Sequence, residues 1–162
     1  MVKKEKNMEE IKYKGNLLDS KADIICHQTN CKGVMGSGVA LAIKQKYPRV
    51  FEQYKKAHQK GLLTLGMCQI VHTNPDSGDD RLVANLCGQD EFNRLKRCTN
   101  YEGIYVCLEK LADYCKNNNI KSIAFPWKMS SDRGGADWNI ITAMIESVFK
   151  MMDITIEYWR LN

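Results

Sequence analysis

The stretch that decides the fold runs Asp23-Ile24-Ile25-Cys26-His27-Gln28-Thr29-Asn30-Cys31-Lys32-Gly33-Val34-Met35-Gly36-Ser37-Gly38-Val39-Ala40. Asp23 to Cys26 reads as a short strand, closed by His27, and polar residues lead to Asn30 in a loop His27 to Gly38. From Gly36 the apolar spacing turns helical and predicts a helix to Lys46, ending before Pro48. The glycines are spaced G-x-x-G-x-G, which is neither the dinucleotide-binding G-x-G-x-x-G nor a Walker loop. Glycines here let the main chain approach a ligand closely. The helix start behind them offers N–H groups and a dipole that favour phosphate.

Outward from this stretch the elements alternate in type. Ile11 to Lys14 reads as a strand, and a second helix is expected from Pro48 to Lys60. Met67 to His72 and Leu82 to Cys87 are strand-like, joined by the turn-rich Asn74-Pro75-Asp76-Ser77-Gly78. A helix follows Thr99, which has capping-box spacing to Glu102. Its stripe is Tyr101, Ile104, Tyr105, Leu108, Leu111, Ala112 and Cys115. Ile120 to Phe125 is a strand. Trp138 to Met151 is a helix capped by Asp137, with Ile141, Met144, Ile145, Val148 and Phe149 inward. Ile154 to Trp159 alternates as a last strand. The expected fold is α/β, a three-layer α/β/α sandwich around a mixed, mostly parallel sheet. Residues 1–10 read as a tail and 11–162 as a single domain. Ligands in such sheets bind beyond the carboxyl ends of the strands. Two loops of unusual sequence leave strands there, His27 to Gly38 and Pro126 to Asp137. Two phosphate-friendly loops on one edge suggest a diphosphate.

Composition narrows the classes. With 162 residues, 44% hydrophobic and 27% charged, collagenous, mucin-like and fully disordered readings are out. No stretch approaches the roughly 20 apolar residues that span a bilayer. Met1 to Lys12 is Lys/Glu-rich with no apolar run behind it, so it does not read as a signal peptide, and a cytoplasmic address is expected. The 24 Lys and Arg against 19 acids give +5, with the basic residues scattered along the chain. That balance serves solubility, and it also helps to capture a small phosphorylated ligand. The seven cysteines at 26, 31, 68, 87, 98, 107 and 115 form no C-x-x-C pair and fit neither a disulfide framework nor a zinc cluster. Cys68, Cys87 and Cys107 read as small core residues. Neither metal nor cofactor is expected.

At the quoted loop the sequence resembles the macro domain family, which recognises ADP-ribose. Asp23 to Asn30 resembles the family's strand ending in Asn, and Gly33 to Ala40 its ribose- and phosphate-binding loop. Lys14-Gly15-Asn16-Leu17 is similar to its adenine-contact segment. Lys128-Met129-Ser130-Ser131-Asp132-Arg133-Gly134-Gly135-Ala136-Asp137-Trp138 resembles the second, diphosphate-binding loop. Val83 to Gln89 and Thr99 to Glu102 are similar to segments of a phage and bacterial branch. The resemblance covers residues 11 to 160 and points to the terminal ADP-ribose protein glycohydrolases and the yeast-type ADP-ribose 1''-phosphate phosphatases. It implies ligand contacts from Asn16, Leu17, Asn30, Gly33, Val34, Met35, Gly36, Ser37, Gly38, Val39, Ser130, Ser131, Asp132, Arg133 and Gly134. The chain departs from the family pattern at three points. Asn16 stands where much of the family has Asp. Ser130, Ser131 and Asp132 replace Gly-x-Gly. No Lys occupies Leu82 to Leu86, where Asn85 stands near the place of the glycohydrolase lysine.

The candidate catalytic residues are His27, Asn30 and Asp132. His27 reads either as an acid or base near pH 7 or as a holder of the loop. Asn30 suits the hydroxyls of a distal ribose, and Asp132 is either a base or a surface acid. Trp127 and Trp138 read as packing residues or as walls for a base or ribose. His58 and His72 show no partner. The expected function is binding of ADP-ribose and hydrolysis of a group on its distal ribose, without a covalent lysine. Such an enzyme would be an ADP-ribosyl hydrolase or an ADP-ribose 1''-phosphate phosphatase. A non-catalytic ADP-ribose reader and a nucleic-acid-binding domain are the alternatives. The expected partner is ADP-ribose or an ADP-ribosylated macromolecule, met by a monomer away from membranes.

Overall fold

In the computed structural model, which describes residues 7–90, 98–131 and 134–161, strands and helices alternate along the chain. The strands are β1 (Glu9–Lys14), β2 (Ile24–Asn30), β3 (Cys68–His72), β4 (Leu82–Gln89), β5 (Ser122–Pro126) and β6 (Thr155–Arg160). The helices are α1 (Gly38–Lys46), α2 (Pro48–Gln59), α3 (Tyr101–Asn117) and α4 (Trp138–Phe149), with a short 3-10 turn at Leu17–Asp19. One sheet takes the order β1-β6-β5-β2-β4-β3. Every neighbouring pair is parallel except β3 with β4, which the turn after His72 makes antiparallel. The expected three-layer, mostly parallel sandwich is what the chain forms.

Two cores explain the layers. Ile24, Cys26, Ala84, Leu86, Ile123 and Phe125 face α3 and α4, while Ile25, Val71, Val83 and Ala124 face α1 and α2. The central strand β2 is therefore covered on both sides, as parallel strands require. On α3, Ile104, Leu108 and Leu111 are fully buried. Each contributes up to about 1.5–3 kcal/mol, which outweighs the roughly 1 kcal/mol that Gly103 costs inside the helix. On α4, Ile141, Ile145 and Phe149 recur every four residues on the inward face. Pro48 ends α1 and starts α2, its missing N–H falling where a helix needs none.

Several boundaries differ from the sequence expectation. β1 starts two residues earlier, at Glu9, and β6 one later, at Thr155. β2 does not close at His27 but runs on to Asn30, because its polar residues pair with β4 as far as Gln89. Main-chain pairing overrides composition there. α1 begins at Gly38, which has a φ of 59°, rather than at Gly36. α3 is capped by Asn100, whose Oδ1 accepts from Gly103 N at 2.8 Å, and not by Thr99. Thr99 instead turns its hydroxyl onto the loop after β5. Among the described residues no helix is long and apolar enough to cross a membrane.

Candidate functional site

The neighbouring parallel strands β2 and β5 end at the same sheet edge, and each releases one of the two loops singled out from sequence. Loop 1 (31–37) leads into α1. A β-bulge between Thr29 and Asn30 breaks the register with β4. Such a bulge re-aims the next side chain, and Asn30 turns towards α2. Its Oδ1 accepts from Lys32 N at 2.9 Å and Val34 N at 3.4 Å, and its Nδ2 donates to Val34 O at 2.9 Å. The fully buried Tyr54 hydroxyl lies 2.8 Å from Asn30 Oδ1 and 2.6 Å from Asn30 O. Burial pushes the Tyr54 phenol up, so it stays a donor. Asn30 is thus the organiser of loop 1, with one Nδ2 proton left for a ligand.

The rest of loop 1 is divided by role. Met35 is 1% exposed and anchors the loop, whereas Val34 and Gly36 are exposed at its tip. Ser37 takes the N-cap position of α1 in extended conformation and makes no side-chain cap bond. The first-turn N–H groups of α1 are therefore not satisfied by their cap side chain, which suits an anion. α4 is different. Asp137 caps it by accepting from Asn139 N at 2.9 Å, so a carboxylate already occupies that helix start. The expectation that both loops end in phosphate-ready helix starts holds for α1 only. Loop 2 (127–136) thus leads into a helix start that its own cap residue fills.

Loop 2 is braced from behind by a network that sequence reading did not resolve. Gln28 Nε2 donates to Gln89 Oε1 at 2.8 Å and to Thr99 Oγ1 at 2.9 Å, while its Oε1 accepts from Ser130 Oγ at 2.5 Å. Thr99 Oγ1 donates to Ser130 O at 2.9 Å, and Cys98 N and Thr99 N both donate to Gly134 O. The network holds Ser130 at a φ of 71°, and Lys128 stands at 58°, a conformation that costs a non-glycine residue on the order of 1 kcal/mol or more. Gly134 fits because nothing larger does. A Cβ there would lie 2.0 Å from Thr99 Oγ1 and 2.6 Å from Ser130 O. The signal for the network was the unbroken polar run His27-Gln28-Thr29-Asn30 that follows the apolar start of β2.

The other candidates fall in several places. His27 is 1% exposed, three positions inside the strand end, roughly 10 Å from the mouth at about 3.3 Å per residue. Its Nε2 lies 2.6 Å from Asn85 Oδ1, and Asn85 Nδ2 donates to Gln69 Oε1 at 3.1 Å. Asn85 Oδ1 is thus the acceptor, His27 carries its proton on Nε2, and buried Nδ1 is left without a partner. Burial lowers its pKa to about 4, against a smaller opposing pull from Asn85. Asn85 faces His27 inside the sheet, so the carboxyl end of β4 is Gln89. Asp132 and Arg133 lie outside the described residues. Asn16 caps the 3-10 turn by accepting from Leu18 N at 2.9 Å. Leu17 has its side chain in the core, so only its main chain can meet a ligand.

Trp127 and Trp138 pack under loop 2, with centroids 5.5 Å apart and both edge-on to Tyr158. His72, expected to lack a partner, has Nδ1 2.6 Å from Asp80 Oδ2. His58, also expected to lack one, lies against Gly33, where a Cβ would come 2.8 Å from its ring. An open hollow of about 480 Å³ beside loop 2 is lined by Lys128, Ser131, Ala136, Asp137, Trp138 and Asn139. It touches no residue of loop 1 and carries the Asp137 carboxylate. Among the described residues no group of three His, Cys, Asp or Glu is placed to hold a metal.

The Macro domain family model matches residues 26–145. The DNA ADP-ribosyl glycohydrolase of Mycobacterium tuberculosis is 28% identical over 138 residues, covering 85% of this chain and 38% of that protein. The human ADP-ribose glycohydrolase OARD1 is 26% identical over 139 residues, covering 84% of this chain and 79% of it. Among solved structures, the macrodomain of Mycobacterium tuberculosis DarG superposes with a TM-score of 0.78 at 28% identity, covering 91% of this chain and 96% of that one. The chain spans about two fifths of the mycobacterial protein's length.

Proposed function

The chain belongs to the Macro domain family, and from that premise we propose that it binds ADP-ribose across loops 1 and 2 and hydrolyses a group joined to the distal ribose. The observation that carries the reading is the pairing, at one sheet edge, of an α1 start without a side-chain cap and a loop after β5 braced at Ser130 by Gln28 and Thr99. One phosphate takes the α1 N–H groups and the other takes the main chain of loop 2. Val34, Gly36, Ser37, Gly38 and Val39 then line the ligand from one side, and Ser130, Ser131, Asp132, Arg133 and Gly134 from the other. Gly33 and Met35 shape loop 1 beneath it, and Asn16 with the Leu17 main chain meets the adenine end.

In this reading a water attacks the anomeric carbon of the distal ribose. Its proton passes to Asp132, the bond to the substituent breaks, and the leaving group takes up a proton. Asn30, through its remaining Nδ2 proton, orients the ribose against that water, which is where positional catalysis arises. In this reading His27 supports the strand beneath and is not the base, since its ring is buried three positions inside the strand end with Nε2 held by Asn85. The chemistry needs only water. We read the protein as a monomer working in the cytoplasm, where seven cysteine thiols fit a reducing medium.

A non-catalytic reader is the second reading, favoured by the absence of any Lys from Leu82 to Gln89 and by the depth of His27. Single-turnover release of ADP-ribose from O-linked, base-linked and 1''-phosphorylated substrates tests the proposal. Turnover on one of them that falls roughly 10²–10⁴-fold in Asp132→Ala supports it. Tight binding with no turnover on any would replace the enzyme with the reader.

A further inference from the structure

The positive charge of the chain is concentrated in one layer. Residues 38–60, which build α1 and α2, hold six of the 24 Lys and Arg and one of the 19 acids, Glu52. The remainder of the sequence carries eighteen of each, so this segment accounts for the whole excess of +5. The inward positions of α2 are Val50, Tyr54 and Ala57, which turns Lys55 and Lys56 to the outside, and Lys46 and Lys60 are exposed as well. Lys44 Nζ sits 4.0 Å from the centroid of Phe51, and Lys55 Nζ approaches the same ring at 5.8 Å. The ring's negative face holds two like charges near each other. Among the described residues no carboxylate pairs with Lys44, Lys46, Lys55, Lys56 or Lys60. Arg49 stands apart, donating to His72 O beside the acidic turn at Asp79 and Asp80.

We infer that the outer face of α1 and α2, centred on Lys44, Lys55 and Lys56, docks the sugar-phosphate backbone of a nucleic acid. The α2 helix, Pro48–Gln59, is about 18 Å long at 1.5 Å per residue. Duplex DNA presents on the order of ten phosphate charges over that length. Lysines spread along a helix act as point charges, which suits a backbone contacted without reading its sequence. A bilayer surface fits less well, because the apolar side of α2 is buried in the core and its aromatic face is covered by ammonium groups, leaving nothing to insert. The face also runs up to the ligand loops. The ring of His58, at the end of α2, lies against Gly33, and Lys32 stands beside it in loop 1. A polynucleotide lying along α2 would therefore bring a group attached to it to loop 1. That last step rests on the function proposed above, whereas backbone docking does not.

The test is fluorescence anisotropy with an unmodified single strand of about 20 nucleotides between about 50 and about 200 mM salt. The wild type is compared with the triple variant Lys44→Gln, Lys55→Gln, Lys56→Gln, whose melting temperature checks that it is folded. The wild type is expected to bind with a log–log salt slope of about −2 to −3, as three or four phosphate contacts would give, and the variant to bind roughly tenfold more weakly with a slope near zero. ADP-ribose affinity should stay the same. A wild type that ignores the strand at low salt, or a folded variant with the wild-type slope, would overturn the inference. So would tighter binding to vesicles of phosphatidylcholine and phosphatidylserine than to the strand. If the strand binds as expected and ADP-ribose does not, the function proposed above fails and the docking face stands.

Discussion

Replacing Asn30 by Ala removes four contacts at once, the bonds to Lys32 N, Val34 N, Val34 O and the Tyr54 hydroxyl. They do not weigh equally. Lys32 and Val34 are exposed, so water replaces the amide at their main-chain groups. Tyr54 is fully buried but keeps Asn30 O at 2.6 Å. No buried group is left without a partner, and the net loss is about 2 kcal/mol, within the usual cost of removing a partly buried hydrogen-bond partner. For a chain of this size that lowers the melting temperature by about 4–8 °C. Loop 1, no longer pinned, must be ordered again when ligand binds, so ADP-ribose affinity should fall by about the same free energy, roughly thirtyfold. Asn30→Asp separates the effects. It keeps the acceptor, so it melts closer to wild type. It also sets a carboxylate against Val34 O and beside the diphosphate, so it binds more weakly than the Ala variant. Calorimetric titration and thermal melting of all three proteins provide the readout. An Ala variant within about 1 °C and about twofold of wild type would refute the role of Asn30.

Gly36→Val should abolish ADP-ribose binding without a change in melting temperature, because a Cβ there meets only Val34 Cγ1 at 3.5 Å and blocks the ligand alone; equal affinity in titration would count against loop 1 as the phosphate site. His27 should make the protein less stable in acid. Its folded pKa of about 4 lies below the ordinary 6.5, so the unfolded chain takes up the proton first and stability falls as pH drops from about 6.5 to about 4, by about 3 kcal/mol in all. Urea melts of His27→Gln should lack that part of the pH dependence, and an identical profile would contradict it. Burial pushes up the thiols of Cys26, Cys31, Cys68, Cys87, Cys107 and Cys115. They should resist alkylation near pH 8 in the native protein, while all seven cysteines react after denaturation. Fewer than seven would mean that a pair is oxidised, with Cys31 and Cys87, whose sulfurs lie 2.6 Å apart, the first to inspect.

The fold was legible because period and punctuation agree along most of the chain. The α3 stripe, Asp137 before α4 and Pro48 between two helices each point to one structure. The loops were legible through their glycines and the residues flanking them. Two things were not. The lengths of β2 and β4 are set by pairing with each other, and nothing in His27-Gln28-Thr29-Asn30 or Gly88-Gln89 announces a strand when read alone. The second is the partnership of polar side chains far apart in sequence. Gln28 meets Ser130 across 102 positions and Asn30 meets Tyr54 across 24, so Gln28 read as part of a motif and Tyr54 as part of a helix. The depth of His27 followed from the same error, since a residue taken to close the strand is really inside it. The charge excess lies within residues 38–60 in the sequence itself, but the meeting of Lys44 and Lys55 over Phe51 forms only once α1 and α2 pack together.

The central claim is that loops 1 and 2 together hold a diphosphate and the ribose beyond it. Calorimetric titration of the wild-type protein with ADP-ribose and with AMP tests it most directly, because AMP lacks the second phosphate and the distal ribose. ADP-ribose should bind at least about tenfold more tightly, the equivalent of about 1.4 kcal/mol from the added groups. Equal affinities, or no binding of either ligand, would contradict it.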